Sequence, residues 1–186
     1  MNRQVLRLDA AHTADFRRLH SDENQAGWCF CVAWWVSTWE GWSARTAPEN
    51  RQLRKALWQR GHYDGYLLYI EDSVAGWCQA GRRDRLSKLT QQFALAPDPD
   101  VWAIICFLIA PIYRGQGHAA WLLDHVLRDL KKRGANIVEA FPRRGADLDI
   151  DDLWNGPEQM FLRRGFTVAQ DDAVRPVLRL SLEVES

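Results

Sequence analysis

The sequence lacks an excess of charge of either sign and lacks long apolar runs. Its 186 residues include 24 Lys and Arg against 24 Asp and Glu. A balanced chain gives no general electrostatic reason to expect nucleic acid or an anionic membrane as partner. No apolar run approaches the roughly 20 residues that span a bilayer, and the first residues lack the apolar centre of a signal peptide. We therefore expect no nucleic-acid or membrane partner, and a cytoplasmic location.

Cysteine is scarce, with four residues at Cys29, Cys31, Cys78 and Cys106. Cys29 and Cys31 are separated by one residue, whereas zinc ligand pairs usually have about two to four between them. No second closely spaced pair follows. The sequence therefore predicts no metal site, and we expect reduced thiols packed among aromatic side chains.

Tryptophan, in contrast, is abundant. There are ten, and five of them lie between Trp28 and Trp42. Such a concentration of rings is compatible with a packed core and equally with the wall of a substrate cleft. The hydrophobic content of 47% and the charged content of 26% are typical of a globular chain. The length suits a single domain.

The apolar pattern predicts alternating strands and helices. A helix opens at Thr46, where Glu49 completes a capping box, and it ends near Gly61. VWAIICFLIA, residues 101–110, is almost wholly apolar and predicts a strand buried on both faces. An amphipathic helix from Gly117 to Gly134 and a strand NIVEAF follow, which predicts a parallel pair joined by that helix.

The remaining segments complete the predicted fold. Five segments are typical of strands: QVLRL, GYLLYIED, VAGWCQAG, FTVAQ and VLRLSLEV. Residues 26–42 have no clear period. We expect residues 82–100 to form a surface excursion and Asn155 to cap a short helix that ends at Gly165. The sequence therefore predicts one mixed α/β domain, a central twisted mixed sheet with helices on both faces.

The turn YRGQGHAAW, residues 113–121, fits more than one pattern. Gly115, Gly117 and Ala120 match G-x-G-x-x-G/A, the dinucleotide fingerprint, and Glu139 lies about 20 residues further on. However, four residues separate the preceding strand from Gly115, and too little chain follows for the remaining strand–helix units. A different interpretation of residues 113–121 is a loop that connects a strand to a helix and binds no ligand.

The second interpretation includes the arginine, as Arg114-x-x-Gly117-x-Ala119. Glycines allow a tight turn whose N–H groups converge before a helix, and such an N-terminus binds a pyrophosphate. The pattern is the R/Q-x-x-G-x-G/A signature of the GCN5-related N-acetyltransferases, which this chain resembles. FLIAPIYRGQGHAAWLL is similar to that family's strand–loop–helix unit, and GPEQMFLRRGF to its later short helix. The order of elements agrees from about Tyr66 to Leu182.

The resemblance implies an acetyl-coenzyme A site in a cleft between two splayed parallel strands. By that resemblance the backbone at Leu108 and Ile109 pairs with the pantetheine arm, and Asn155 contacts the coenzyme or caps a helix. The pyrophosphate loop comprises Arg114, Gly115, Gln116, Gly117, His118 and Ala119. Residues 66–186 would form the coenzyme-binding core, and residues 1–65, with the Trp-rich stretch, the acceptor side.

The resemblance also implies acetyl transfer to an amine of a small molecule or a protein, by a possible homodimer. Many members carry a tyrosine on the short helix as general acid, where this sequence has Phe161. Glu139, an acid in an apolar strand, is the predicted general base. The other candidates are Glu40, Asp147, Asp149, Asp151 and Asp152. Because Phe161 cannot donate a proton, a non-catalytic acyl-coenzyme A sensor on the same fold is the alternative.

Overall fold

One seven-stranded sheet organises the molecule, in the order β1-β2-β3-β4-β5-β7-β6. The structure is a computed structural model and describes residues 2–182. The strands are β1 (Arg3–Arg7), β2 (Gly65–Ile70), β3 (Ser73–Arg82), β4 (Val101–Ile109), β5 (Ile137–Ala140), β6 (Thr167–Gln170) and β7 (Val177–Ser181). The helices are α1 (Thr13–Leu19), α2 (Ala47–Gln59), α3 (Ser87–Gln92), α4 (His118–Lys132) and α5 (Glu158–Leu162). No helix in the described range is long and apolar enough to cross a membrane.

The pairing of β4 with β5 is parallel, and every other neighbouring pair is antiparallel. The parallel ladder runs from Val101 opposite Ile137 to Ile104 opposite Ala140. β5 ends at Ala140, whereas β4 continues to Ile109. The two strands therefore separate, as predicted, and α4 makes the connection between them.

A bulge marks the point of separation. On β3, Gln79 is opposite Cys106 and Ala80 is opposite Ile104, so Ile105 is an extra residue on β4. A bulge bends its strand and increases the local twist. The cleft between β4 and β5 therefore begins at the bulge.

Helices cover both faces of the sheet, as the sequence predicted. Leu68 on β2 belongs to the core cluster that contains α4 and α5, and its neighbour Leu67 belongs to the cluster that contains α1 and α2. Successive side chains of a strand point to opposite faces. The mixed α/β class and the capping box of α2, in which Thr46 and Glu49 each bond the other's backbone, are both confirmed.

The expectation of a surface excursion at residues 82–100 is wrong. The segment folds into α3, and Leu86, Leu89 and Phe93 are buried. They join a third core cluster with Trp34 and Phe141. The apolar side chains recur at helical spacing inside a polar stretch, and their partners lie far away in sequence.

The expectation that Asn155 caps the short helix is also wrong. α5 begins at Glu158 after Pro157 and has no side-chain cap. Asn155 is fully buried, and its Nδ2 donates to the carbonyl of Ile105 at 3.0 Å. The buried bulge carbonyl needs a donor. Asn155 provides the shorter bond, and Trp34 Nε1 donates to the same oxygen at 3.4 Å. The last strand ends at Ser181, and the end of the predicted run VLRLSLEV lies outside the described residues.

Candidate functional site

A cavity of about 1370 Å³ opens beside the free part of β4. Most of its wall comes from four parts of the chain: residues 25–42, the end of β4, the turn before α4, and residues 150–164. His20, three residues of α3 and Arg175 complete it. It therefore lies where the parallel strands separate, which is the usual position of a ligand site in an open sheet.

The turn before α4 is shaped by two glycines. Gly115 has φ +73° and Gly117 has φ +77°, a left-handed conformation that costs other residues about 1–2 kcal/mol. No side chain caps α4, and the first amides of a helix have no partner within it. Gly117, His118 and Ala119 belong to the cavity wall. The wall thus contains a helix N-terminus, which attracts an anion.

Arg114 anchors this turn to the sheet. Its Nε donates to the carbonyl of Ile109, at the end of β4, at 2.9 Å. Gln116 is exposed and donates to the carbonyl of Ile112 at 3.0 Å. Both side chains therefore hold the loop in shape.

His118 is the first residue of α4 and has only 4% of its surface exposed. Neither ring nitrogen has a hydrogen-bond partner. Burial lowers the pKa of its imidazole, and Arg3 lowers it further. His118 is therefore a neutral ring in the wall, packed edge-on against Tyr113.

The free edge of β4 presents alternate residues to the cleft. The amide of Ala110 donates to the carbonyl of Ala75 on β3 at 2.9 Å. Because backbone polar groups alternate along a strand, those of Ile109 face the cleft and those of Leu108 face Trp77 on β3. The geometry supports the predicted backbone contact of Ile109. Leu108 also lines the cavity, but its backbone pairs with β3.

The charged side chains of the cavity wall are mostly cationic. Asp151 is the only carboxylate among the described wall residues. The cations are Lys88, Arg114, Arg163, Arg164 and Arg175. Arg164 is neutralised by Asp124, with bonds from Nε at 2.5 Å and Nη2 at 3.0 Å. The remaining positive charge suits a ligand with several phosphates.

Glu139, the predicted general base, lies away from this wall. It is fully buried on β5, and it accepts bonds from Arg83 Nη1 at 2.8 and 2.9 Å. Arg179 on β7 donates to it from Nη2 at 2.7 Å. Both carboxylate oxygens are therefore occupied, and the geometry gives a catalytic role no support.

The other predicted acids have separate positions. Glu40 and Asp147 are exposed. Asp149 accepts from the amides of Asp151 and Asp152 and so caps a short 3-10 turn, and Asp152 pairs with Arg143. Only Asp151 reaches the cavity, at its exposed rim.

The Trp-rich segment divides between core and cavity. Trp34 is fully buried in the core, whereas Trp28, Trp39 and Trp42 belong to the cavity wall. Lys88 Nζ lies 3.2 Å from the ring centroid of Trp39 and donates to the carbonyl of Ala33 at 2.9 Å. Burial lowers the pKa of Lys88 to about 8. The tryptophans therefore divide between the packed core and the wall of the cavity.

Three cysteines meet in the same wall, a feature that sequence reasoning missed. Cys31 Sγ lies 2.9 Å from Cys106 Sγ and 3.4 Å from Nε2 of the buried His20. Phe30 and Cys31 both have positive φ, which turns the chain so that Cys29 and Cys31 face the cavity. Among residues 2–182, no group of three or more His, Cys, Asp or Glu is arranged to hold a metal ion. The sequence carries no local signal for this cluster, because Cys31 and Cys106 are 75 residues apart.

Phe161 is fully buried on α5 and packs against Phe107 and Phe166. It belongs to the core and not to the cavity wall. Tyr113, at the start of the glycine turn, is the one tyrosine in the described wall.

The family model described as Acetyltransferase (GNAT) family matches residues 18–147. The chain belongs to this family. The match includes the Trp-rich segment, β4, the glycine turn, α4 and β5. No curated protein matches the chain in sequence.

Solved acetyltransferases share the fold of this GNAT chain. One is the PaiA N-acetyltransferase of Thermoplasma acidophilum in complex with coenzyme A, with TM-score 0.60, 12% identity, and 98% of this chain and 100% of that chain covered. Another is YncA of Salmonella typhimurium with its cofactor acetyl-CoA, with TM-score 0.57, 15% identity, and 97% of this chain and 94% of that chain covered. A third is the ribosomal-protein-S18-alanine N-acetyltransferase of Escherichia coli, with TM-score 0.57, 14% identity, and 99% of this chain and 97% of that chain covered.

Proposed function

We propose that this GNAT chain is an acetyl-coenzyme A-dependent N-acetyltransferase that acts on an amine of a small molecule or a protein. The observation that supports it most is the uncapped N-terminus of α4 behind a left-handed glycine turn, at the mouth of the β4–β5 cleft. Acetyl-CoA and coenzyme A in neighbouring structures of the same fold support the choice of ligand.

In this proposal the coenzyme lies along the free edge of β4. The pyrophosphate binds the amides of residues 115–119, and Arg114 keeps the turn in register with the strand. The amide of Ile109 pairs with the pantetheine arm. Arg163 and Arg175, at the cationic rim, meet the remaining phosphate charge.

The acceptor enters from the side of residues 1–65, with residues 66–186 forming the coenzyme-binding core. Trp28, Trp39 and Trp42 provide rings for an apolar or aromatic body, or for a cation held against them. The wall lacks a buried carboxylate that would hold a polycationic acceptor. An amine with an apolar or aromatic body therefore fits best.

The chemistry is attack of a neutral amine on the thioester carbonyl. A primary amine has a pKa near about 10 and must lose a proton first. Because the wall offers one exposed acid, Asp151, the proton leaves through solvent or that carboxylate. Departure of the coenzyme thiolate needs little acid help, since thiols ionise at about pH 8.5. Transfer is therefore compatible with Phe161 in place of the tyrosine.

A non-catalytic acyl-coenzyme A sensor is the second candidate. The burial of Phe161 in the core and the absence of a buried carboxylate among the described wall residues favour it. Two measurements separate the candidates: calorimetric titration with acetyl-coenzyme A, and release of free thiol with a panel of arylalkyl, alkyl and peptide amines. We expect binding and steady thiol release. Binding without turnover over the panel would favour the sensor, and no binding at millimolar acetyl-coenzyme A would end both.

A further inference from the structure

A second cavity, of about 520 Å³, lies between α1 and α2. Four of its lining residues are cations and none is an acid: Arg17, Arg51, Arg54 and Lys55. Its remaining wall includes the rings of Phe16, Phe30 and Trp58. A small cavity with apolar walls and only positive charge suits an anion with an apolar body.

Arg54 is the deepest of these cations. Only 5% of its surface is exposed, yet it forms no ion pair with any carboxylate in the described part of the chain. Its guanidinium carbon lies 4.3 Å from the ring centroid of Phe16 and 5.3 Å from that of Tyr63. The faces of these rings stabilise the cation but cannot accept its in-plane N–H bonds, whereas Tyr63 also interacts with the guanidinium and partly offsets the effect of burial, which lowers the pKa of Arg54.

The buried Nε and Nη2 of Arg54 have no hydrogen-bond partner. These two nitrogens lie on one edge of the guanidinium, the edge that takes a carboxylate side-on with two parallel bonds. The same edge is filled elsewhere in this protein. Arg144 uses Nε and Nη2 on Glu158, Arg164 uses them on Asp124, and Arg179 uses them on Glu139. In Arg54 this edge has no protein acceptor. Neighbouring atoms cover it, so a carboxylate in the cavity reaches the edge after a shift of the Arg54 side chain.

The surroundings of Arg54 increase the need for an anion. A buried charge without a partner is costly, and burial lowers the pKa of Arg54, with Arg17 lowering it further. Arg51 lies over the ring of Phe30 at 5.3 Å and also lines the cavity. A second cation at the same opening would be repelled by Arg54 unless an anion lies between them.

We propose that the cavity between α1 and α2 binds a small organic carboxylate, held side-on by Arg54, with its apolar body against Phe16, Phe30 and Trp58. The proposal is independent of the acetyltransferase activity, because this cavity is separate from the one beside β4.

Phenylacetate and its neutral counterpart phenylacetamide are the probes, each titrated into the full chain by calorimetry and thermal unfolding. We expect saturable binding of phenylacetate at millimolar concentration or tighter, with a rise in Tm. Phenylacetamide, which lacks the carboxylate, should give at most about a tenth of that affinity. Equal binding of the two, or no binding of phenylacetate at 20 mM (roughly the weak limit for a paired, buried charge), would overturn the proposal.

Arg54→Met is the decisive variant, since it keeps the length and apolar contacts of the side chain and removes the guanidinium. We expect it to abolish phenylacetate binding, while Arg60→Met, which removes an exposed charge at the end of the same helix, leaves it unchanged. Unchanged coenzyme A binding in Arg54→Met verifies that the variant is folded. Arg54→Lys provides a second test, because it keeps the positive charge but lacks the paired Nε and Nη2 donors. It should bind phenylacetate at least about tenfold more weakly. Unaltered phenylacetate binding in either Arg54 variant would overturn the proposal, as would saturable binding of inorganic phosphate without binding of phenylacetate.

Discussion

At the scale of single residues, environment separates side chains that look alike in the sequence. Cys29 is half-buried, and a hydrogen bond from Cys31 lowers its pKa to about 7. Burial raises the pKa of Cys31 and of Cys78. The C-x-C spacing did not indicate this, because the cause is the left-handed turn at Phe30 and Cys31 and the contact of Cys31 with Cys106.

Cys29 should therefore be the reactive thiol of the native protein. Iodoacetamide labelling, followed by mass spectrometry across pH 5.5 to 9.5, should give a rate for Cys29 with a midpoint near pH 7, because only the thiolate reacts. Coenzyme A should slow this labelling, since Cys29 belongs to the wall of the cavity beside β4.

Cys78 is the internal control for this measurement. It is fully buried and should be labelled only after unfolding. A midpoint for Cys29 near about 8.5, the value of a free cysteine, would contradict the argument.

At the scale of elements, the sequence predicted correctly those helices and strands whose ends are set by neighbouring residues. The capping box at Thr46, the helix that begins after Gly117 and the apolar strand at residues 101–110 are all confirmed, because each depends on residues close together in sequence. The predicted parallel pair followed from the right-handed crossover through α4.

What the sequence could not predict depends on distant partners. Asn155 has the form of a helix cap but serves the bulge at Ile105, 50 residues away. Leu86 and Leu89 lie in a polar stretch of the sequence but pack in the same core cluster as Trp34 and Phe141. Glu139 has the form of a buried catalytic acid, yet Arg83 and Arg179 occupy it. None of these partnerships leaves a short-range signal.

The glycine turn before α4 gives a prediction at this scale. Gly117→Ala should weaken coenzyme A binding about tenfold, equivalent to about 1.4 kcal/mol, because a Cβ is strained at φ +77° and the turn's amides would shift. Calorimetric titration with coenzyme A measures the effect.

Gly134→Ala is the matched control. Gly134 has φ +79°, and like Gly117 it has no atom within 4 Å of an added Cβ, but it lies at the other end of α4. Its variant should lose similar stability and keep wild-type affinity for coenzyme A. Equal affinities in both variants would contradict a pyrophosphate site at this turn.

At the scale of the whole molecule, one buried acid links three distant parts of the sheet. Glu139 on β5 joins Arg83, which follows β3, to Arg179 on β7, and Arg83 also reaches Asp98 at 3.5 Å. The ladder between β4 and β5 holds only the pairs from Val101–Ile137 to Ile104–Ala140. The ion network therefore reinforces the sheet where the parallel ladder is short.

Glu139→Gln should lower the free energy of unfolding by about 3–5 kcal/mol, since it leaves buried arginine charge without its partner. Urea unfolding measures this loss, and a titration with coenzyme A should give an unchanged affinity. Unchanged stability with a loss of thiol release would instead assign Glu139 to catalysis. Asp151→Asn serves as the comparison: its carboxylate is exposed at the cavity rim, so its unfolding curve should match that of the wild type.

The separation of β4 from β5 has a further consequence for how the protein behaves before it meets a ligand. Beyond Ile104, β4 is an edge strand inside the molecule, and edge strands recruit other extended chains. In our proposal the pantetheine arm of the coenzyme pairs with this edge of β4 as an added strand would, and it leaves when the coenzyme dissociates. Amide hydrogen exchange at Phe107 and Ile109, whose backbone groups face the cleft, should be fast in the free protein and slow when the cleft is filled. A freshly synthesised chain should aggregate less when coenzyme A is abundant.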